Sequence, residues 1–381
     1  MKLEVQNLGP ITEGSLSFMD LTVLVGPQAS GKSITLQLLK LLVDTGAVQA
    51  ELRRYGLDWN GQAGELLDAY FGEGMRGIWN PATTRVRWEG AEFDLRAVAR
   101  RRRKEKAEEL FLIPAQRVLA MRDGWPRPFS DYSPGDPFAV RDFSERLRRL
   151  VESEFTGERL FPQERRLKAA FRKLLLKNVF GHFELRIDKV RSQKRLVLAS
   201  TDGGEALPHM VWSAGQREFI PLLLGLYWLM PPTKVSRRGH LHWVVIEELE
   251  MGLHPQAVNT VLLMILELLS RGYRVCLSTH SPQVLEMAWA LKNLKEAGAT
   301  ADALLRVFGL APDETLRRVS TIALKKDVSV YYFHGDSGQV HDISSLDPSA
   351  EQPFEAGWGG LTDFSERANT EVARAVASKG R

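Results

Sequence analysis

Eight residues near the start of the chain restrict its fold more than any other stretch. Gly26-Pro27-Gln28-Ala29-Ser30-Gly31-Lys32-Ser33 fits the pattern G-x-x-x-x-G-K-[ST]. An apolar run over residues 15–25 precedes it, and an amphipathic pattern from Ser33 to Val43 follows. That is the strand, glycine turn and helix the motif requires. Backbone N–H groups of such a turn wrap phosphates, and the helix N-terminus adds positive potential. Lys32 brings a point charge to the β and γ phosphates, and the Ser33 hydroxyl is placed to ligate Mg²⁺. Gly26, Gln28, Ser30, Gly31, Lys32 and Ser33 are therefore the expected binding residues for ATP and Mg²⁺. Taken alone the turn leaves kinases, GTPases and ATPases all open.

Composition narrows the setting rather than the task. Of 381 residues, 44% are hydrophobic and 26% charged, enough to bury a core and to argue against disorder. A net charge of +4 permits a nucleic-acid partner without requiring one. The single cysteine, Cys276, excludes an internal disulfide and fits a reducing compartment. The start MKLEVQNLGPITEGSLSF lacks the basic and apolar regions of a signal peptide. The apolar stretches 219–230 and 261–269 are too short to span a bilayer. A cytoplasmic protein without membrane association is expected.

The patterning predicts one α/β domain over 1–381, with short strands at 3–7 and 15–25. Residues 44–110, rich in glycine and tryptophan and carrying the basic run Arg100–Lys104, read as an inserted lobe of short strands and a helix. A buried strand follows at 110–114, then a loop over 122–138. Residues 140–180 show helical spacing with dense charge, which predicts a helical arm projecting from the core. Strands near 182–189 and 195–200 precede a second α/β block. That block runs helix 215–230, strand 242–247, helix 255–271, strand 273–278 and helix 282–297. Residues 300–381 form a C-terminal closing segment with strands at 328–333 and 339–343 and a last helix near 362–377.

Three further constellations carry chemistry. The strand 242–247 ends in two acids. Glu247 would hold Mg²⁺ through water, and Glu248 would polarise the attacking water as general base. An aspartate is usual at the first position, and the longer arm of Glu247 still reaches a metal through water. The next strand ends at Thr279-His280, where ligands of open α/β sheets sit. His280 could donate to the γ-phosphate or to the attacking water. Finally, Trp212-Ser213-Ala214-Gly215-Gln216 precedes an apolar helix. It reads either as a second anion-binding helix start or as an ordinary N-cap.

The order of these motifs resembles that of ABC-type ATPases, an α/β P-loop NTPase head with a mixed sheet. Asn7-Leu8-Gly9-Pro10-Ile11, Ile113-Pro114-Ala115-Gln116-Arg117 and Glu247-Glu248-Leu249-Glu250-x-x-Leu253-His254-Pro255 resemble the RecF/OLD-like branch of prokaryotic AAA ATPases, which is related to SMC proteins. The resemblance implies that Ser213, Gly215 and Gln216 contact a γ-phosphate held by another subunit. It implies that Gln116 senses Mg²⁺ and the γ-phosphate, that His280 is the switch histidine, and that residues 250–255 line a dimer seam. Trp212 and Ala214 depart from the usual LSGGQ signature. The acid in His334-Gly335-Asp336-Ser337 is followed by no D-x-D pair, so the form lacking a Toprim nuclease is expected.

A transporter cassette is disfavoured by the long gap from Ser33 to Ser213 and by Glu218-Phe219-Ile220-Pro221 after the signature. The expectation is a homodimeric, Mg²⁺-dependent ATPase, in a dimer or higher oligomer, with Lys32, Glu248 and His280 as catalytic residues. It would regulate a separate effector, a nuclease or toxin, in bacterial antiphage defence. RecF-like DNA binding in repair and a nucleotide-gated module with vestigial hydrolysis are the alternatives. Cations in the arm (Arg146, Arg148, Arg149, Arg165, Arg166, Lys168, Arg172 and Lys173) either track a double-stranded DNA backbone or form a solvated helix face.

Overall fold

The computed structural model describes residues 1–155, 157–190, 193–231 and 236–379. The chain opens with β1 (Lys2–Leu8), β2 (Ile11–Ser17) and β3 (Leu21–Val25), then α1 (Lys32–Arg54) and α2 (Ala63–Phe71). Next come β4 (Arg85–Trp88), β5 (Ala91–Glu92), α3 (Leu95–Arg100), β6 (Leu110–Ile113), β7 (Met121–Arg122) and β8 (Trp125–Pro126). The middle holds α4 (Phe138–Ser153), β9 (Arg159–Phe161), α5 (Ala169–Leu175), β10 (Phe183–Val190), β11 (Gln193–Ser200) and β12 (Leu207–Pro208). The second block is α6 (Ala214–Leu229), β13 (Trp243–Glu247), α7 (Pro255–Ser270), β14 (Arg274–Ser278) and α8 (Pro282–Glu296). The chain closes with α9 (Ala301–Val307), α10 (Glu314–Ala323), β15 (Val328–Phe333), β16 (Val340–Asp342), α11 (Pro353–Ala356) and α12 (Asp363–Lys379).

The central sheet has the order β16-β15-β3-β14-β13-β6. All its neighbours run parallel except β16, which returns antiparallel to β15. The sequence dictates this. Leu21–Val25, Leu110–Ile113 and Trp243–Glu247 are buried at every position, as strands must be when both sheet faces are covered. The two-residue period then divides them. Val23, Val244, Ile246, Val275 and Leu277 join the core beneath α6, α7 and α8, whereas Leu24, Trp243, Val245 and Cys276 join the core beneath α1 and the N-terminal strands. This is an α/β fold built on a mixed central sheet. Parallel strands bring Val25, Ile113, Glu247, Ser278 and Phe333 to one edge, where α/β sheets present their sites.

Two expectations change in form. The short strands of 44–110 do not stand apart, because β4 pairs with β1 and extends the sheet β2-β1-β4-β5. The 140–180 segment is helical in α4 and α5, but α4 lies on the core instead of projecting. Phe143, Leu147, Leu150 and Val151 are buried in it. Its charges are accommodated by pairing. Arg146 bonds Asp142 and Glu108, Arg148 and Arg149 share Glu145, Arg166 meets Glu154 and Lys168 meets Glu267. Five of the eight arm cations are thus neutralised within the chain, which leaves α4 no free cationic face for a DNA backbone.

A buried charge cluster fastens β6 to α1. Lys40, 2% exposed, donates to Asp44 at 2.8 Å, to Glu108, and to the Leu110 carbonyl at 2.5 Å. Asp44, at the kink of α1, accepts from the Glu109 and Leu110 N–H groups at 2.9 and 3.0 Å. Among the described residues no helix is long and apolar enough to cross a membrane.

Candidate functional site

The candidate phosphate cradle at 26–33 forms because its glycines allow contacts that a Cβ would block. Gly26 has φ +141°, and a Cβ there would lie 2.3 Å from the Phe333 carbonyl oxygen. Gly31, at φ +101°, packs beside Ile11, where a Cβ would fall 2.6 Å from that side chain. Pro27, Gln28 and Ala29 stay exposed, while Ser30 is buried and donates to the Pro27 carbonyl at 2.9 Å. Lys32 curls back over the loop and donates to the Gly26 and Pro27 carbonyls, both at 2.7 Å. Burial lowers its pKa to about 8, against the opposing pull of Glu248 and Glu250. Its ammonium thus occupies a dry cradle next to carboxylates.

A candidate metal position can be read from unmet hydrogen-bonding capacity. Glu247 is completely buried, and burial pushes its pKa up to about 7 against the Ala115 N–H and the side chains of Ser33 and Gln37. One oxygen accepts from the Ala115 N–H at 3.3 Å, and Oε1 has no partner. The Gln37 Oε1 beside it is likewise buried and unpartnered. Ser33 and Gln37 are four residues apart on α1 and so share its face. A hydroxyl, one carboxylate and phosphate oxygens suit Mg²⁺, which prefers few protein ligands. Among the described residues no three His, Cys, Asp or Glu side chains cluster as an all-protein metal cage.

The acid-bearing end of this edge is held under strain. Glu248 adopts φ +45°, a left-handed conformation that costs a residue with a side chain on the order of 1–3 kcal/mol. Its N–H donates to the Ser278 carbonyl at 2.9 Å, which ties β13 to the end of β14. His280 Nε2 stands 3.8 Å from Glu248 Oε1. Glu250 orients the switch segment, accepting from the Thr279 hydroxyl at 2.9 Å and the His280 N–H at 2.6 Å. Because β14 lies between β3 and β13, His280 emerges between the phosphate cradle and the acids.

Ser213 caps α6 in a reciprocal box. Its hydroxyl accepts from the Gln216 N–H at 3.2 Å, while Gln216 Oε1 accepts from the Ser213 N–H at 3.0 Å. Gln216 is therefore engaged in shaping the cap, and Ser213 itself is exposed. Gly215 serves packing as well, since a Cβ there would come within 2.8 Å of the Gly252 carbonyl oxygen. His254 caps α7, accepting from the Gln256 N–H. No hydrogen bond or ion pair joins 213–216 to 26–33 among the described residues.

Gln116 is exposed directly after the Ala115 N–H that touches Glu247, at the mouth of the metal position. Gln37 and Arg117 have no role in the sequence-based site, and Glu250 enters it only as part of the 250–255 seam. The helical spacing from Ser33 could have pointed to Gln37. Arg117 and Glu250 stand inside motifs quoted for the resemblance, but nothing in the sequence gives their contacts at this edge.

Residues 141–286 match a family model described as "AAA domain, putative AbiEii toxin, Type IV TA system". No curated protein matches the chain. Similar solved structures include an SMC head bound to the C-terminal winged-helix domain of ScpA (13% identity, 73% of this chain, 88% of that chain, TM-score 0.38). The SMC head domain from Thermotoga maritima is 14% identical over 75% of this chain and 90% of its own, with a TM-score of 0.34. A dimeric bacterial ABC transporter cassette is 10% identical over 89% and 96%, with a TM-score of 0.35.

Proposed function

We propose that this chain is an Mg²⁺-dependent ATPase whose active site is completed by a second copy of itself. The observation that carries the reading is the separation of its halves. The cradle and acids converge on one sheet edge, while Ser213 caps a helix whose start is exposed and, among the described residues, bonds no part of the cradle. In the closed state Lys32 leaves the Gly26 and Pro27 carbonyls for phosphate oxygens. Glu248 takes the proton of the attacking water, and His280 holds that water or the γ-phosphate. The partner's Ser213 donates to the γ-phosphate from the opposite side. Ser33 and Glu247, with Gln116 at the mouth, would hold Mg²⁺, which neutralises charge on the β and γ oxygens when bound.

The ordered motifs and the family similarity support a regulatory use of this closure, acting on a separate effector in bacterial antiphage defence. Association state tests the central reading. With ATP and Mg²⁺, Glu248→Gln should sediment as a dimer, and Ser213→Arg should remain monomeric under the same conditions. A monomeric Glu248→Gln at saturating ATP would refute a composite site.

One observation favours DNA as a further partner, at a place other than α4. Arg100, Arg101, Arg102, Arg103 and Lys104 are exposed and form no ion pair among the described residues. Their backbone is pinned by the buried Gln49, which accepts from the Arg103 N–H at 2.9 Å and donates to the Val98 and Arg101 carbonyls. If this ridge tracks phosphates, reversing Arg102, Arg103 and Lys104 to Glu weakens duplex binding. Each lost contact flattens the log-affinity against log-salt slope by about 0.9. An unchanged slope removes the ridge from the interface.

A further inference from the structure

Arg117 is the most extensively engaged buried cation near the site, and nothing in the reaction as described uses it. It is 0% exposed. Its guanidinium donates to three carbonyls: Glu218 at 3.2 Å, Glu247 at 3.1 Å and Glu248 at 3.1 Å. It also stands 3.5 Å from the Glu218 carboxylate. Glu218 lies on α6, five residues beyond Ser213. Its side chain packs against Gly252, whose carbonyl oxygen in turn abuts Gly215. A single planar fork thus joins the start of the signature helix to the backbone of the two acids, and through the Glu218 side chain it reaches the turn at Gly252. Lysine has no such fork and could hold only part of this set.

We infer that Arg117 is a positioning residue that couples the two composite sites of the ATP-bound dimer. The inference rests on the composite-site reading. In that dimer the Ser213 of one subunit grips the partner's nucleotide, whereas its Glu248 serves its own. Arg117 ties the helix of the first to the carbonyl of the second within one chain. Engagement of Ser213 in one site draws on α6, and the fork transmits that displacement to the left-handed Glu248 of the other. The Glu248 conformation is the element with two arrangements: retained while the fork holds its carbonyl, relaxed when it does not. Two nucleotides therefore act together, and the coupling is reciprocal.

The test compares wild type with Arg117→Lys, which keeps the charge but loses the fork, and with Glu218→Gln, which weakens the link from the α6 side. Nucleotide affinity is read with a fluorescent ATP analogue, folding by circular dichroism, and turnover against ATP concentration. Arg117→Lys should bind the analogue as wild type does. It should lose kcat by about 100-fold, the scale of a misplacement on the order of 1 Å. Its Hill coefficient should fall to one. Glu218→Gln should shift the Hill coefficient the same way with a smaller loss of kcat. It carries the test if Arg117→Lys fails to fold. Wild-type kcat and cooperativity in a folded variant overturn the coupling, as does a loss confined to nucleotide affinity. If Glu248→Gln forms no ATP-dependent dimer, the composite-site reading falls and the coupling with it. If that dimer forms and Arg117→Lys is kinetically normal, the coupling alone falls.

Discussion

Glu248→Gln should bind ATP as tightly as wild type and lower kcat by about 10²- to 10⁴-fold, the contribution of a positioned general base. The substitution is close to isosteric. It preserves the Glu248 N–H bond to Ser278 and the Arg117 bond to the Glu248 carbonyl, both of which are main-chain contacts. Lys32, Ser33 and Glu247 are untouched, so nucleotide and metal still load. Only the carboxylate facing His280 at 3.8 Å loses its capacity to accept a proton. The ATP-bound state should then accumulate, seen as one slowly released phosphate per subunit in a single-turnover assay. Wild-type turnover in this variant would mean that another group is the base.

The second large effect falls on stability. Lys40→Met keeps most of the apolar stem but removes the ammonium shared by Asp44 and Glu108. Both acids are buried or nearly so, with side-chain exposures of 2% and 14%. Removing one partner of a buried pair costs about 3–5 kcal/mol. The pKa of Lys40 is raised: burial opposes the charge, but Glu108 and Asp44 outweigh it. Its contribution is therefore fully present below the ordinary lysine value and is lost only as pH rises through the higher folded value. On the acid side, burial raises the pKa of Glu108 but Lys40 and Arg146 outweigh it and hold it below the ordinary carboxylate value, so the deficit of Lys40→Met should shrink as pH falls through that lowered value and Glu108 takes up a proton. Urea unfolding at neutral and acid pH measures this directly. Lys40→Met/Glu108→Gln should regain part of the loss. A Lys40→Met variant as stable as wild type would show that the cluster is not what fastens β6 to α1.

Much of the scaffold was legible because its strands are apolar throughout. Residues 242–247 and 273–278 were read as strands, and β13 and β14 are found at Trp243–Glu247 and Arg274–Ser278. Val328–Phe333 agrees to the residue. A uniformly buried strand flanked by helices leaves few other solutions. The run 15–25 predicts one strand, but Phe18–Asp20 divides it between β2 and β3. The larger misreading was α4. Its Arg141, Asp142, Ser144 and Glu145 look like a solvated face in sequence, yet all are buried. Helical periodicity shows which positions share a side, but not that Glu108, 34 residues before Asp142, will pair with Arg146. Pairing across distant segments is invisible to local pattern.

The same limit applies to the site. Gly26, Lys32, Ser33, Glu247, Glu248 and His280 announce themselves through motifs, and the parallel strand order collects them at one edge. Arg117 and Glu250 act through carbonyls and N–H groups that any residue possesses. Their role depends on the direction in which three loops leave the sheet. Gln216 shows the reverse case: a motif residue whose side chain, in the free chain, is used to shape the Ser213 cap.

The composite site is tested most directly by mixing two inactive variants. Glu248→Gln retains Ser213 but lacks the base, and Ser213→Arg retains the base but lacks the signature hydroxyl. Each alone should be nearly silent, although both P-loops still load ATP. Mixed in equal amounts they form heterodimers with one intact site, built from the acids of one chain and the cap of the other. Phosphate release should reappear on mixing and rise with the heterodimer fraction, at less than the wild-type rate per intact site because the chain that supplies the base lacks its own Ser213. A mixture as silent as its components, or a Ser213→Arg protein that hydrolyses ATP at the wild-type rate by itself, would contradict a site shared between two subunits.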